Sequence, residues 1–183
     1  MIGEDFEAVL ASAQAGDQGA LEVIYRDLAP PVLGYLRAQG AEDPEDLAAE
    51  AFAALVRDLF KFEGNERSFR SWVFTIVHRR LVDERRRRYR RRETAVDPAI
   101  LPVLGPVGDV EEEALGRLGS RAVLQALLRL TPDQRAVLLL RVLADLPVAE
   151  VARVLGKSAG AVKTLQRRAL ARLAREISRE AVS

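Results

Sequence analysis

The sequence predicts an all-α protein: two small helical domains joined by an extended linker containing proline and glycine, the second domain carrying a helix-turn-helix. Three observations lead there. Ala, Leu, Arg and Glu dominate the 183 residues, while strand-like alternation and Asn-Gly hairpin turns are missing. Pro98, Pro102, Pro106, Gly105 and Gly108 crowd the stretch "ETAVDPAILPVLGPVGDVEEE", spaced so that no helix can form. Finally, "LPVAEVARVLGKSAGAVKTLQRRALARLARE" sets a glycine between two helical patterns.

Each element has its own signal. Asp43-Pro44-Glu45-Asp46 is a helix start, with a capping aspartate, proline at the first helical position and acids facing the macrodipole, and that helix should run to about Phe60. Ser68 can cap the next, in which Phe69, Trp72, Val73, Ile76 and Val77 make one apolar stripe. This helix then runs into nine arginines between Arg79 and Arg92. The domain boundaries follow as 1–92, a linker at 93–112, and 113–183, the linker being longer than an ordinary connection inside a domain. Thr131-Pro132-Asp133-Gln134 is a capping box with proline inside it. A short helix from Pro147 to Leu155 ends at Gly156 as a left-handed stop, and Ser158 caps a second, basic helix. Val151, Ala152, Leu155, Val162 and Leu165 or Ala169 should hold the pair together, leaving Lys163, Thr164, Arg167 and Arg168 outward.

Charge is sorted along the chain. Residues 1–66 carry fourteen acids and four bases, and residues 67–92 eleven bases and two acids; the balance is −3 over 93–156 and +5 over 157–183. Two basic patches, each preceded by an acidic stretch, point to a polyanion gripped at two places, against the plainer reading of solvated helix faces.

Composition removes other classes. With no cysteine there is neither a disulfide framework nor a thiolate metal site. The N-terminal "MIGEDFEAVLASA" is acidic and too weakly apolar for a signal peptide, and "AVLLLRVLADL" is broken by Arg141 and Asp145, so no membrane insertion and a cytoplasmic location are expected. There is no Gly-rich phosphate loop and no histidine pair, so no enzyme, cofactor or metal is expected. Asp43, Glu45, Asp46 and Glu50 could in principle hold magnesium, but a helix N-terminus in a protein-binding face accounts for them more plainly. His78, the one histidine, reads as a solvated polar residue or phosphate contact.

Four stretches together resemble a bacterial RNA polymerase sigma factor of the sigma-70 family, extracytoplasmic-function (ECF) subgroup. "DPEDLAAEAFAALVRDL" is similar to the helix that binds the clamp helices of the polymerase β′ subunit, and "FKFEGNERSFRSWVFTIVHRRLVDERRRR" to the promoter-melting segment. "LLRLTPDQRAVLLLRVLADLPVAEVA" and "GKSAGAVKTLQRRALARL" are similar to the region that reads the upstream element. The resemblance implies binding to core RNA polymerase at the β′ clamp helices and the β flap, with Asp43, Glu45, Asp46, Glu50 and Phe52 on the β′ side. It implies minus-10 recognition as melted strand by Lys61, Phe62, Asn65, Arg67, Arg70, Trp72, Arg79, Arg80, Arg85, Arg86, Arg87 and Arg88. Of these, Phe62 and Asn65 would wall the pocket for a flipped base, while Trp72 suits core packing at least as well. It further implies minus-35 duplex recognition by Ser158, Lys163, Thr164, Arg167 and Arg168, and an anti-sigma factor as a further partner. Arg79 stands where the family usually has asparagine, Ala49, Ala53 and Ala54 where larger or polar residues are common, and Leu165 where a base is frequent; these bear on promoter sequence and on core binding. The alternative is a helix-turn-helix regulator that binds duplex DNA without being a polymerase subunit, which accounts for residues 130–175 only.

Overall fold

Caps at most helix starts and apolar residues at helical spacing produce eight α-helices among the described residues, which in this computed structural model are 1–94 and 121–180. They are α1 (Phe6–Gln14), α2 (Gln18–Gln39), α3 (Pro44–Asp58), α4 (Glu66–Thr94), α5 (Arg121–Leu128), α6 (Pro132–Val142), α7 (Val148–Leu155) and α8 (Ala159–Glu180), with 3-10 turns at Gly3–Asp5 and Leu59–Lys61. The linker expected at 93–112 lies, from residue 95 onward, outside the described residues; Glu93 and Thr94 belong to the end of α4.

The local signals act as sequence chemistry dictates. Asp43 accepts from the Asp46 amide at 2.9 Å, with Pro44 in the first turn of α3. Thr131 and Gln134 form both halves of the capping box, and Ser158 Oγ accepts from the Ala161 amide at 3.2 Å. Gly156, at φ +61°, ends α7 in the left-handed region that a Cβ disfavours. One start differs from expectation. Asn65, not Ser68, caps α4: its Oδ1 accepts from the Ser68 amide at 3.0 Å, and Ser68 Oγ donates back to the Asn65 carbonyl at 2.8 Å. Asparagine caps as well as serine does, so sequence alone could not choose between them.

In the N-terminal half, α1, α2 and α3 pack around the first half of α4. Phe6, Ile24, Leu28, Leu55, Phe69 and Phe74 fill that core, with Tyr35 edge-on to Phe74. In the C-terminal half, Leu139, Leu140, Leu146, Val151, Val162 and Ala169 tie α6, α7 and α8 together. The two halves then share one continuous apolar core, with α2 against α5 and α6, and α4 against α7. At Gly34 on α2 the halves come close: a Cβ there would meet Leu143 Cδ1 at 3.4 Å, in ordinary contact.

α4 is the longest helix, and its 29 residues span roughly 44 Å. Its buried residues end at Glu84, so the arginine-rich remainder projects past the core. A helix that starts as a core element thereby delivers a block of cations to the surface.

Candidate nucleic-acid interface

The turn from α3 into α4 builds a cleft of about 460 Å³ lined by Asp58, Lys61, Phe62, Glu63 and Trp72. Phe62 stacks on Trp72 with ring centroids 5.2 Å apart and packs edge-on to Phe69 at 5.1 Å. Gln14 holds the loop from behind, its amide donating to the carbonyls of Leu59 at 3.0 Å and Phe62 at 2.8 Å. An aromatic wall beside an ammonium group suits an unstacked base and its phosphate. Trp72 therefore packs on the core and faces the cleft at once. Asn65 is not in the lining; its side-chain oxygen is committed to the α4 cap, and Asp58 and Glu63 stand in the lining instead. Sequence reasoning missed both, because a carboxylate beside a DNA site is not what a basic motif advertises.

Gly64 keys this loop. Its φ is +147°, and a Cβ there would lie 2.5 Å from Ser68 Oγ and 3.1 Å from Phe62 Cζ. Gly64→Ala is expected to displace Phe62 from Trp72 and to cost about 1–3 kcal/mol through backbone strain. Trp72 is the only tryptophan in the chain, so its emission reports the change directly. An unaltered spectrum and melting midpoint in the variant would contradict the arrangement.

The arginine tail does not stand free of the acidic face. Arg80 pairs with Glu50 at 3.4 Å, Arg91 with Glu42 at 3.4 Å, and Arg86 loosely with Asp83 at 3.8 Å. Arg37, on α2, pairs with Glu45. Together Glu42, Asp43, Asp46, Glu50, Glu84 and the arginines at 87, 90 and 91 line a second cleft of about 490 Å³. Thus residues that the resemblance divides between polymerase and DNA share one groove. Surface pairs of this kind contribute roughly 0–1 kcal/mol each, so they can be exchanged for a partner's charges at small cost. Glu84 was not singled out from sequence: it is buried, takes the Glu42 amide on Oε1 at 2.7 Å, and leaves Oε2 without a hydrogen bond. Phe52 lies on the far side of α3, its ring 4.8 Å from that of exposed Tyr25.

Several predicted positions are placed differently from the rest. Arg67, Arg79, Arg86 and Arg87 are exposed, as a phosphate-binding role requires. Arg85 turns inward, its guanidinium donating to the backbone and side-chain oxygens of Gln39. Arg70 is only 5% exposed; it donates to Asp27 Oδ2 at 2.6 Å and to the Ala144 carbonyl at 3.2 Å. In this arrangement Arg70 is a structural cation, because the stripe carrying Phe69 and Val73 points it into the joint between the halves.

His78 is likewise not a solvated residue. Its Nδ1 lies 2.8 Å from the Tyr35 hydroxyl, and the two rings meet edge-on. Burial first, and the Arg85 cation second, hold its pKa below the ordinary 6.5; Lys157 adds to this and Asp133 opposes it. Burial also pushes the Tyr35 phenol well above its usual range. A histidine whose folded pKa is depressed binds its proton more readily when unfolded. The stability it contributes is complete above about pH 6.5 and is lost as pH falls through its folded pKa. Melting midpoints measured between about pH 8 and pH 5 should therefore drop on the acid side, and His78→Gln should flatten that drop. An identical acid slope in the variant would rule His78 out as its source.

In the C-terminal half α7, the Gly156 turn and α8 set a short helix across a long basic one. Val151, Val162 and Ala169 are fully buried between them, with Leu155 and Leu165 partly so. Lys163, Arg167 and Arg168 are exposed on one side of α8, while the Thr164 hydroxyl donates back to the Gly160 carbonyl at 3.0 Å. Exposed Ser158 is spent on its cap. Outward cations on the second helix of a helix-turn-helix fit a major groove. Among the described residues no cluster of three or more His, Asp or Glu side chains is arranged to hold a metal, and no helix is long and apolar enough to cross a membrane.

Comparison with known proteins agrees with this geometry. Residues 24–91 match the family model for sigma-70 region 2, and residues 120–173 that for sigma-70 region 4. The ECF RNA polymerase sigma factor SigD of Mycobacterium tuberculosis is 32% identical over 184 residues, covering 97% of this chain and 86% of SigD. The ECF RNA polymerase sigma factor BldN of Streptomyces coelicolor is 37% identical over 165 residues, covering 89% of this chain; the chain spans 62% of BldN, less than two thirds of it. Among solved structures, CnrH in complex with the cytosolic domain of CnrY matches with a TM-score of 0.64 and 26% identity, covering 93% of this chain and 96% of CnrH.

Proposed function

From its membership of the extracytoplasmic-function subgroup of sigma-70 factors, to which this chain belongs, we propose that it directs core RNA polymerase to promoters and divides that work among three surfaces. The acidic start of α3 meets the β′ clamp helices, while Phe52, on the other side of α3 against Tyr25, lies outside that acidic groove. The cleft of Phe62, Trp72 and Lys61 takes an unstacked base of the minus-10 element, with the exposed arginines of α4 along its phosphates. The outward face of α8 reads the minus-35 element as duplex, and the C-terminal half also meets the β flap. The observation that carries the reading is the aromatic cleft at the root of an arginine-bearing helix, in a chain that also carries a basic helix-turn-helix. A stand-alone regulator would need only the latter, and would leave the match over residues 24–91 without a purpose. CnrH is held by the cytosolic domain of CnrY, and by analogy a protein inhibitor is a partner here too.

The test is run-off transcription by bacterial core polymerase, with and without the chain, on a promoter library. Promoter-specific transcripts should appear only with the chain. Reversing Asp46 and Glu50 to lysine should weaken co-purification with core at least tenfold while helicity is kept, since Glu50→Lys also sets a cation beside Arg80. Unchanged co-purification would move the polymerase face elsewhere.

A further inference from the structure

The segment ahead of α2 grips the base cleft at three points. Gln14, the last residue of α1, donates from one amide nitrogen to two carbonyls, Leu59 at 3.0 Å and Phe62 at 2.8 Å. Those carbonyls stand at the start and just past the end of the 3-10 turn Leu59–Lys61, which carries the cation of the cleft and delivers Phe62 to it. At the far end of the loop the Ile2 and Gly3 amides donate to the Glu66 carboxylate at 2.6 and 3.1 Å, beside the Asn65 cap of α4. Beneath the cleft the buried Phe6 ring lies 5.4 Å from Phe69, on which Phe62 rests edge-on. Ile2, Gly3, Phe6 and Gln14 all precede residues 24–91, the stretch matched as region 2.

A primary amide suits this place. Two acceptors converge on one point, so the group between them must donate twice, and an amide nitrogen does so without bringing in a charge. The turn after α1 fixes where that amide points. Gly16, at φ +91°, takes a left-handed step and returns its N–H to the Ala13 carbonyl at 3.0 Å, while Asp17 caps α2 on the Ala20 amide at 2.7 Å. Past the gripped turn, Glu63, Gly64 and Asn65 are exposed. A loop that ordered itself only around an incoming base would lose conformational entropy at that moment and hold the base less well. One fixed beforehand has already lost it in folding.

We propose that Gln14 is a positioning residue for strand opening: it acts through the loop and not on DNA, holding the turn so that the Phe62–Trp72 wall and Lys61 are in place before the base arrives. The proposal rests on the reading of the cleft as the minus-10 base site, and adds to it a residue outside the matched region. Its effect falls on the step in which a base leaves the duplex. Core binding through the start of α3 and minus-35 reading through α8 do not depend on it.

Gln14→Glu tests this with almost no change of shape, because a carboxylate faces the two carbonyls with no hydrogen to give. Gln14→Lys returns donors to the same place, and Gln14→Leu, without donors, carries the comparison should the Glu variant fail to fold. Holoenzyme made with each chain is given a promoter recovered from the library, either intact or with an abasic site at each nontemplate position of the minus-10 element in turn. Permanganate reactivity of unpaired thymines reads the open complex. On the intact promoter Gln14→Glu should lower open complexes roughly five- to 150-fold, the worth of one base stacked on an aromatic group, and Gln14→Lys should recover part of the loss. At one abasic position the difference between variant and unmodified chain should shrink to about twofold or less, since no base remains for the loop to receive. Co-purification with core should be unchanged throughout. A loss of the same size on intact and abasic promoters would overturn the proposal and leave Gln14 a staple of the fold, and undiminished opening by the variants would overturn it outright. If the unmodified chain opens promoters yet is indifferent to every abasic site, no base enters the cleft, and the base-site reading falls with the proposal. If it opens no promoter at all, the sigma-factor reading falls and takes the proposal with it.

Discussion

Arg135→Ala is expected to destabilise the protein by about 3–5 kcal/mol, the range for stripping the partner from buried polar groups. Its guanidinium serves four carbonyls: Leu127 at 2.9 Å, Leu128 at 2.8 Å, Leu130 at 3.1 Å and Ala38 at 2.9 Å. Three of these close the end of α5 and the turn after it, and the fourth lies in the last turn of α2, so one planar fork satisfies orphan acceptors of two helices. Among the described residues no carboxylate is paired with it; burial works against its charge, and the nearby Arg85 adds to that. The converging C-terminal dipoles offset the penalty. Arg135→Lys should recover only part of the loss, because an ammonium group cannot present five donors in that fixed geometry. Arg79→Ala, on an exposed arginine of similar helical context, should stay within about 0.5 kcal/mol. Urea unfolding of the three variants measures the differences. Equal stability of the 135 and 79 variants would mean that water replaces the guanidinium, and that the α2 and α5 ends are wetter than their geometry indicates.

What was readable from the sequence was what is decided within a few residues. Asp43-Pro44, the Thr131–Gln134 box, Gly156 and Ser158 act locally, and each is where chemistry puts it. The apolar stripe of α4 was readable for the same reason, since helical spacing alone fixes a shared face. α2 was not, because it runs unbroken from Gln18 to Gln39 through Pro30 and Pro31. Two prolines remove two helical donors, leaving the carbonyls of Arg26 and Asp27 without their ordinary partners. Only packing of Ile24, Leu28, Val32, Tyr35 and Leu36 against both halves outweighs that loss. Arg70 and Arg135 were opaque for a related reason. In a sequence an arginine reads as surface. Nothing local tells that Ala144 will arrive from the other half to accept a hydrogen bond from Arg70, or Ala38 to accept the fourth from Arg135, whose other three acceptors lie five to eight residues before it. His78 is the same case, its partner Tyr35 being 43 residues away. The cleft at 58–72 was half legible: its aromatics stood out by type, whereas Asp58 and Glu63 entered through the path of the turn. The sequence reading also kept DNA-binding arginines and polymerase-binding acids apart, and the Arg80–Glu50 pair joins them. Opposite blocks of charge in one small chain attract before any partner is present.

Replacing Arg167 or Arg168 by alanine should change which minus-35 sequences are preferred, whereas replacing Arg86 and Arg87 should weaken open complexes on every promoter. The two pairs sit in different settings. Arg167 and Arg168 are exposed on the outward side of α8, which follows the turn that Gly156 and Ser158 set. Arg86 is held only loosely by Asp83 at 3.8 Å, and Arg87 stands at the rim of the acidic groove, on the part of α4 beyond the core. A side chain that makes a good bidentate contact to a base edge contributes roughly 1–3 kcal/mol of discrimination, or about five- to 150-fold between promoters. A phosphate contact carries no sequence information, and its loss lowers the salt slope by about one per contact. Both substitutions are on the surface and should leave stability within about 0.5 kcal/mol, so lost activity cannot be blamed on unfolding. Holoenzyme transcription on a minus-35 library at two salt concentrations separates the cases. A changed ranking of promoters with an unchanged salt slope marks Arg167 or Arg168 as a reader, and uniform loss with a flatter slope marks Arg86 and Arg87 as phosphate clamps. Uniform loss from the α8 variants would demote those arginines to clamps as well. If neither pair changes transcription, the two basic patches are solvated helix faces, and α8 does not enter a groove.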